Sequence, residues 1–266
     1  MLGKILSVLL LISLILAMCA CSQENKDGEY PSDESTSYTQ QVGLNVLSSP
    51  LKKSKDMGQG YIDSFVFLGE STTYHLKNRG VLSGGTSTTQ VWGPKSGTLM
   101  LDASTATCRI VYPETDEEID ISEAMSRKKP KYMLLTFGLN GATRSISRGS
   151  DYFKACYGKL IDTLKSASPD TVIILQSCFP VANNMDMSNF SVDVKTLNRY
   201  IDIINGWTRE LADARGLGYL NTVEILKNSD GALFTELQAG DGYHLTREAY
   251  LKILNYIRTH GYPEEE

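Results

Sequence analysis

Residues 62–78 read IDSFVFLGESTTYHLKN, in which an apolar, β-branched and aromatic run leads directly into a helical pattern. The run ends at Gly69, as expected of a buried strand that stops at a tight turn. Comparable apolar runs occupy 88–93, 132–138, 171–177 and, more weakly, 217–222. Helical periodicity is clearest at 150–167, 192–216 and 246–261. This alternation predicts a single α/β domain with a central parallel sheet of about five strands and helices on both faces.

The N-terminus, MLGKILSVLLLISLILAMCACS, is typical of a signal peptide, because Lys4 precedes an apolar run over 5–20. Its end resembles the lipobox of bacterial lipoproteins, and Ala20 before Cys21 fits that pattern better than Met18 before Cys19. We therefore expect residues 1–21 to form a signal peptide with lipidation at Cys21, which places the domain on the extracellular side of a bacterial membrane. An uncleaved membrane anchor is the alternative.

Residues 22–60 are rich in polar and charged side chains and predict a flexible tether, within which 42–51 is apolar enough to dock locally. Residues 61–266 then form the folded domain. The net charge of -5 includes no basic stripe, so a nucleic-acid partner is not expected.

No metal or cofactor is expected either. The sequence has three histidines and no HExxH motif, and no P-loop or GxGxxG follows the first strand. It also has no GxSxG elbow, which argues against an α/β-hydrolase fold. Beyond the N-terminus, Cys108, Cys156 and Cys178 are odd in number without CxxC spacing, and are interpreted as small buried residues.

Polar residues follow the first and third strands and precede the last helix, where the crevice of an open parallel sheet forms. A serine hydroxyl becomes a nucleophile when a base takes its proton, and that base needs an acidic partner. Ser71, His244 and Asp241 supply these three groups, and an aspartate three positions before the histidine can turn back towards its ring.

Each of these residues also has a structural interpretation. Ser71 is suited to cap a helix, Asp241 is suited to a turn, and His244 is suited to a surface loop. His75 lies one helical turn after Ser71 and is expected to pack or to contact solvent rather than reach the hydroxyl. His260 has no acidic residue at a comparable spacing.

Three blocks resemble the SGNH/GDSL hydrolases in order and placement: FVFLGES their first block, LLTFGLNG their G-x-N-D block and DGYHLT their D-x-x-H block. The resemblance covers about residues 60–261. It implies a flavodoxin-like, three-layer α/β/α fold with strand order 2-1-3-4-5. It also implies a catalytic triad of Ser71, Asp241 and His244.

The same resemblance implies an oxyanion hole formed by the Ser71 N–H, the Asn140 side-chain amide and a glycine N–H. Gly97 is the preferred glycine, with Gly93 as the alternative, while Gly84 comes too early in the chain. Two positions depart from the family pattern. Glu70 replaces the aspartate of the first block, and Gly141 replaces an aspartate that would brace the third.

The function implied is that of a membrane-tethered serine esterase acting on carboxylic esters, with O-acetyl groups of a polysaccharide or cell-wall glycan as the favoured substrate. A lipid or lysophospholipid ester is one alternative. A non-catalytic carbohydrate-binding module on the same scaffold is another, and Gly141 keeps it open. Four aromatic residues are candidates to stack on sugar rings or to lie in the core: Tyr74, Trp92, Tyr112 and Tyr243.

Overall fold

A computed structural model describes residues 50–263 with the exception of residue 189. The predicted signal peptide, the Cys21 lipidation site and the tether up to residue 49 lie outside the described residues.

The core of the described chain is a five-stranded parallel sheet. Its strands are β1 (Phe65–Gly69), β2 (Val91–Trp92), β5 (Tyr132–Thr136), β6 (Val172–Gln176) and β7 (Gly218–Leu220). They lie in the order β2-β1-β5-β6-β7, and every neighbouring pair is parallel. Counted among the sheet strands alone this is the order 2-1-3-4-5, so the predicted α/β fold is confirmed. β3 (Arg109–Val111) and β4 (Glu118–Asp120) form a separate antiparallel hairpin.

Helices cover both faces of the sheet. They are α1 (Gly58–Asp63), α2 (Ser71–Asn78), α3 (Ile121–Lys128), α4 (Ala142–Arg148), α5 (Ser150–Ala167), α6 (Val194–Arg215) and α7 (Arg247–Thr259). Because side chains alternate along a strand, Phe65 and Phe67 pack into one buried cluster with α1, α2 and α7. Val66 and Leu68 point to the other face and pack with α3, α5 and α6.

The bounds of β1 differ from the apolar run at its N-terminal side. Ile62 and Asp63 belong to α1, and the Ser64 side chain ends that helix by donating to the Tyr61 carbonyl at 2.6 Å. The strand therefore begins at Phe65. The hairpin and the short helices α3 and α4 were not predicted, because segments of three to eight residues carry too few repeats to establish a period.

Residues 50–60 pack against the domain. Leu51 is buried and donates its N–H to the Tyr219 carbonyl at 2.8 Å, and Met57 donates to the Arg258 carbonyl at 2.9 Å. Folded structure thus begins before residue 61. Among the described residues, no helix combines the length and the apolar character that crossing a membrane requires.

Candidate active site

Three predicted site residues form a chain of hydrogen bonds. Ser71 Oγ lies 2.9 Å from His244 Nε2, and His244 Nδ1 lies 2.6 Å from Asp241 Oδ2. The second carboxylate oxygen of Asp241 accepts the backbone N–H groups of Tyr243 and His244 at 3.1 and 2.9 Å. Although burial raises the pKa of Asp241, these hydrogen bonds outweigh it and hold the pKa below its ordinary value. An ionised carboxylate is thereby aligned with the imidazole.

The sheet and two helices hold this chain in place. Ser71 is the first residue of α2 and lies two positions after the end of β1. Gly69 allows the backbone of β5 to approach closely, because a Cβ there would lie 2.3 Å from the Thr136 carbonyl oxygen. Gly242 has a φ of +88° and would likewise clash with Met185. The Tyr250 hydroxyl donates to the Thr72 carbonyl at 2.5 Å, which ties α7 to the helix that carries the serine.

Glu70 braces the loop that follows β5. Its buried carboxyl group accepts three backbone N–H groups, from Gly138 at 2.8 Å, Leu139 at 3.1 Å and Asn140 at 3.0 Å. Burial raises the pKa of Glu70 to about 8, against the opposing effect of the three N–H donors. Glu70, the residue next to Ser71, therefore holds the backbone of Asn140, whose side-chain amide is a predicted oxyanion donor.

Gly141 also has a local explanation. Its φ is +77°, a left-handed conformation at the start of α4, and a Cβ there would lie 2.9 Å from Met100 Sδ. An aspartate at this position would adopt a conformation that is strained for a residue with a side chain, and the Met100 side chain would have to shift. The neighbouring Asn140 is held through its backbone N–H, which donates to Glu70.

Two predicted oxyanion donors converge on one atom. The Ser71 N–H donates to Thr98 Oγ1 at 3.0 Å, and Asn140 Nδ2 donates to the same oxygen at 2.8 Å. Asn140 Nδ2 also donates to the Leu99 carbonyl at 2.9 Å. The involvement of Thr98 was not foreseen from the sequence, because nothing in the sequence ties it to residues 27 and 42 positions away.

The third predicted donor is engaged elsewhere. The Gly97 N–H donates to the Pro94 carbonyl at 2.9 Å within a turn, so a role in binding an oxyanion would require this turn to open. Gly97 has a φ of +72°, and a Cβ there would lie 3.2 Å from the Tyr74 ring. The alternative, Gly93, lies beside the same ring, and a Cβ there would lie 3.6 Å from it.

The His244 ring lies beside two other aromatic rings. His75 stacks on it with a centroid separation of 4.1 Å and an interplanar angle of 14°, and the Tyr243 ring is also 4.1 Å away. His75 thus packs on the histidine and makes no hydrogen bond to Ser71, as expected. The pKa of His75 is lowered from 6.5 to about 4. Desolvation is the largest cause, and repulsion from His244 and Arg79 adds to it.

This pKa makes stability depend on pH. As the pH falls below 6.5, the unfolded chain protonates His75 before the folded chain does, so stability is lost until the pH reaches about 4. Between pH 7 and pH 4.5, we expect the free energy of unfolding to fall by about 1 kcal/mol less in His75→Phe than in the wild type. The figure is reduced because the ring is only half-buried. Urea unfolding of both proteins at the two pH values measures this, and equal losses would contradict it.

The remaining candidates are placed as follows. Trp92 and Tyr112 are buried in the core with ring centroids 6.1 Å apart, whereas Tyr74 and Tyr243 stay partly exposed beside the site. Cys108, Cys156 and Cys178 are free thiols, the latter two buried. Within the described residues, no group of three or more His, Cys, Asp or Glu side chains is arranged to hold a metal ion.

The sequence matches the family model of the GDSL-like lipase/acylhydrolase family over residues 67–252, which is well over half of the chain. No protein of curated function is significantly similar to it in sequence.

The chain is also similar to several solved structures. A protein described as lipolytic and of the G-D-S-L family, from Desulfitobacterium hafniense, superposes with a TM-score of 0.51 at 14% identity over 74% of this chain and 98% of its own. A carbohydrate esterase of family 3 from Talaromyces cellulolyticus gives 0.46 at 13% identity over 73% and 93% of the two chains. A protein described as a platelet activating factor from Streptococcus pneumonia gives 0.49 at 16% identity over 73% and 82%.

At such low identities the likeness between structures concerns the fold alone. The family match begins within β1, includes Ser71 at the start of α2, and continues through the loop of His244 into α7. This chain therefore belongs to the GDSL-like lipase/acylhydrolase family and is a carboxylic ester hydrolase.

Proposed function

We propose that this protein is an extracellular, membrane-tethered serine esterase that removes short acyl groups, such as acetyl, from a glycan. The observation that carries the catalytic part is the unbroken hydrogen-bonded chain Ser71–His244–Asp241, which ends beside the two donors that meet at Thr98.

In the first step, Ser71 Oγ attacks the ester carbonyl carbon while His244 Nε2 takes the hydroxyl proton. Asp241 keeps Nδ1 protonated and stabilises the imidazolium. The carbonyl oxygen becomes an oxyanion that accepts from the Ser71 N–H and Asn140 Nδ2. When the tetrahedral intermediate collapses, the C–O bond to the alcohol breaks, and His244 delivers its proton to the departing oxygen.

In the second step, a water molecule attacks the acyl-serine, and His244 takes one of its protons. Collapse of this intermediate breaks the bond to Ser71 Oγ and returns the proton to it, releasing the carboxylic acid. No group beyond these side chains and water is needed to balance either step.

The loop after β2 supports a short acyl group. Thr98 and Leu99 contact Asn140 directly, at 2.8 and 2.9 Å, so this loop forms a wall close to the nucleophile. Tyr74, which packs against the same loop, and Tyr243, which packs on His244, have partly exposed rings on which a sugar can stack. A short acyl chain on a sugar alcohol suits this combination better than a long-chain lipid ester.

The substrate proposal is tested with aryl esters of increasing acyl length and with an O-acetylated polysaccharide, using a protein that lacks residues 1–21. We expect the highest kcat/KM with acetyl esters and release of acetate from the polysaccharide. A preference for long acyl chains would favour a lipid substrate instead.

Asn140→Ala is expected to lower kcat by about 10²-fold with little change in KM, because an oxyanion donor acts mainly in the transition state. Steady-state kinetics on an acetyl ester measure this. Asn228→Ala, which alters an asparagine in a turn outside the site, serves as the control. A change confined to KM would contradict the assigned role.

The tethered location rests on the predicted signal peptide and lipobox. Expression of the full chain in a bacterium fed a labelled fatty acid is expected to label the wild type and Cys19→Ala but not Cys21→Ala. Labelling that persists in Cys21→Ala and is lost in Cys19→Ala would move the site to Cys19, and no labelling in any variant would contradict the lipid anchor.

A further inference from the structure

The Thr98 hydroxyl lies at the point where the two oxyanion donors converge. Its distances of 3.0 Å to the Ser71 nitrogen and 2.8 Å to Asn140 Nδ2 fall within the 2.7–3.1 Å that such donors keep to an oxyanion. A side chain of the protein thus occupies the position that the substrate oxygen requires.

The Leu99 carbonyl fixes the orientation of this arrangement. A carbonyl oxygen only accepts hydrogen bonds, so Asn140 must direct Nδ2 and not Oδ1 towards it. Both amide hydrogens of Asn140 are then used, one by Leu99 and one by Thr98. The Ser71 N–H is a donor too, so the Thr98 oxygen acts as acceptor for both neighbours.

We propose that Thr98 is a place-holder for the substrate oxygen, which closes the site at rest and must swing away before an ester can react. This inference rests on the proposed function, because it takes the Ser71 N–H and Asn140 as the oxyanion donors. The Thr98 hydroxyl itself donates to the Leu99 carbonyl at 3.3 Å and gives up this contact when it moves. The hydrogen bond from Asn140 Nδ2 to that carbonyl does not involve the Thr98 side chain, so it holds the amide in place.

A tethered hydroxyl competes with the substrate more strongly than water does. It is attached to the adjacent loop and loses little translational freedom on returning, whereas a water molecule must be captured from solvent. The hydroxyl also keeps two partly buried donors paired when no substrate is bound. The resting site therefore keeps the two donors in position, but the Thr98 hydroxyl occupies the place that the substrate oxygen needs.

The test compares Thr98→Ala with wild type on an acetyl ester. We expect Thr98→Ala to raise kcat/KM by roughly three- to tenfold, because the substrate oxygen then displaces only water. Thr98→Ser retains the hydroxyl and is expected to show a smaller increase. Ser96→Ala is the matched control, because it removes a hydrogen bond from the same loop, to the Thr98 carbonyl, without altering the hydroxyl.

An NMR measurement follows the donors independently of catalysis. The Ser71 backbone N–H and the Asn140 side-chain NH2 resonances are expected to shift in Thr98→Ala and to stay in place in Ser96→Ala. Unshifted resonances in Thr98→Ala would overturn the inference, and so would a fall in kcat, which would make the hydroxyl a contributor to the reaction. If the wild type hydrolyses no ester, the proposed function fails, and the resonances still decide whether Thr98 occupies the site.

Discussion

Replacing Ser71 with alanine is expected to lower kcat by about 10⁴-fold or more, because it removes the hydroxyl that is hydrogen-bonded to His244 Nε2 and that forms the acyl intermediate in the proposed mechanism. The serine is half-buried and its hydroxyl contacts the His244 ring, so the fold should survive the loss of one oxygen. Steady-state kinetics on an acetyl ester, with circular dichroism to verify folding, measure both parts of the expectation.

The control is Ser147→Ala, which changes an exposed serine of α4. The double variant Ser71→Ala/His244→Ala should be no slower than either single variant, because the residues act as one unit. Full activity in Ser71→Ala would remove the serine mechanism. Additive losses in the double variant would show that the two residues do not act through the same step.

Replacing Glu70 with alanine is expected to reduce the free energy of unfolding by about 3 kcal/mol, because three N–H groups of the 138–140 loop would lose their acceptor in a buried setting. Activity should fall as well, since the same loop presents Asn140. Urea unfolding and kcat on an acetyl ester report the two effects separately.

Glu70→Gln is the conservative comparison, because the amide keeps one oxygen that can accept from Gly138 and Asn140. We expect it to lose roughly 1 kcal/mol, which corresponds to one hydrogen bond. Glu236→Ala, at an exposed glutamate, controls for removing a carboxylate. A loss in Glu70→Ala no larger than in Glu236→Ala would show that the brace does not stabilise the fold.

The sheet was predictable from sequence because its buried strands read as continuous apolar runs. The long helices were predictable because their apolar residues recur with helical periodicity, and the predicted range 150–167 has the same bounds as α5. The bounds and pairing of the two-residue strand β2 and of the hairpin β3–β4 could not be predicted. Their pairing depends on partners brought together by the fold and not on a local pattern of apolar residues.

The candidate site was also predictable only in part. Ser71, Asn140, Asp241 and His244 follow from short motifs placed at the ends of predicted elements. The arrangement of Glu70 and Thr98 did not follow, since each makes contacts with residues far along the chain that no motif specifies. Gly97 illustrates the limit, because the sequence cannot show that its N–H is used within a turn.

The hydrogen bond between Ser71 and His244 joins positions 173 residues apart. Loops of this length close late, after the local elements have formed, and α7 must dock on α2 before the imidazole reaches the hydroxyl. The proposed triad is therefore incomplete in a nascent chain until residue 244 has been synthesised. On the proposed mechanism, ester hydrolysis reports that the turn after β1 and the loop before α7 have come together, and a chain truncated before residue 241 is expected to be inactive.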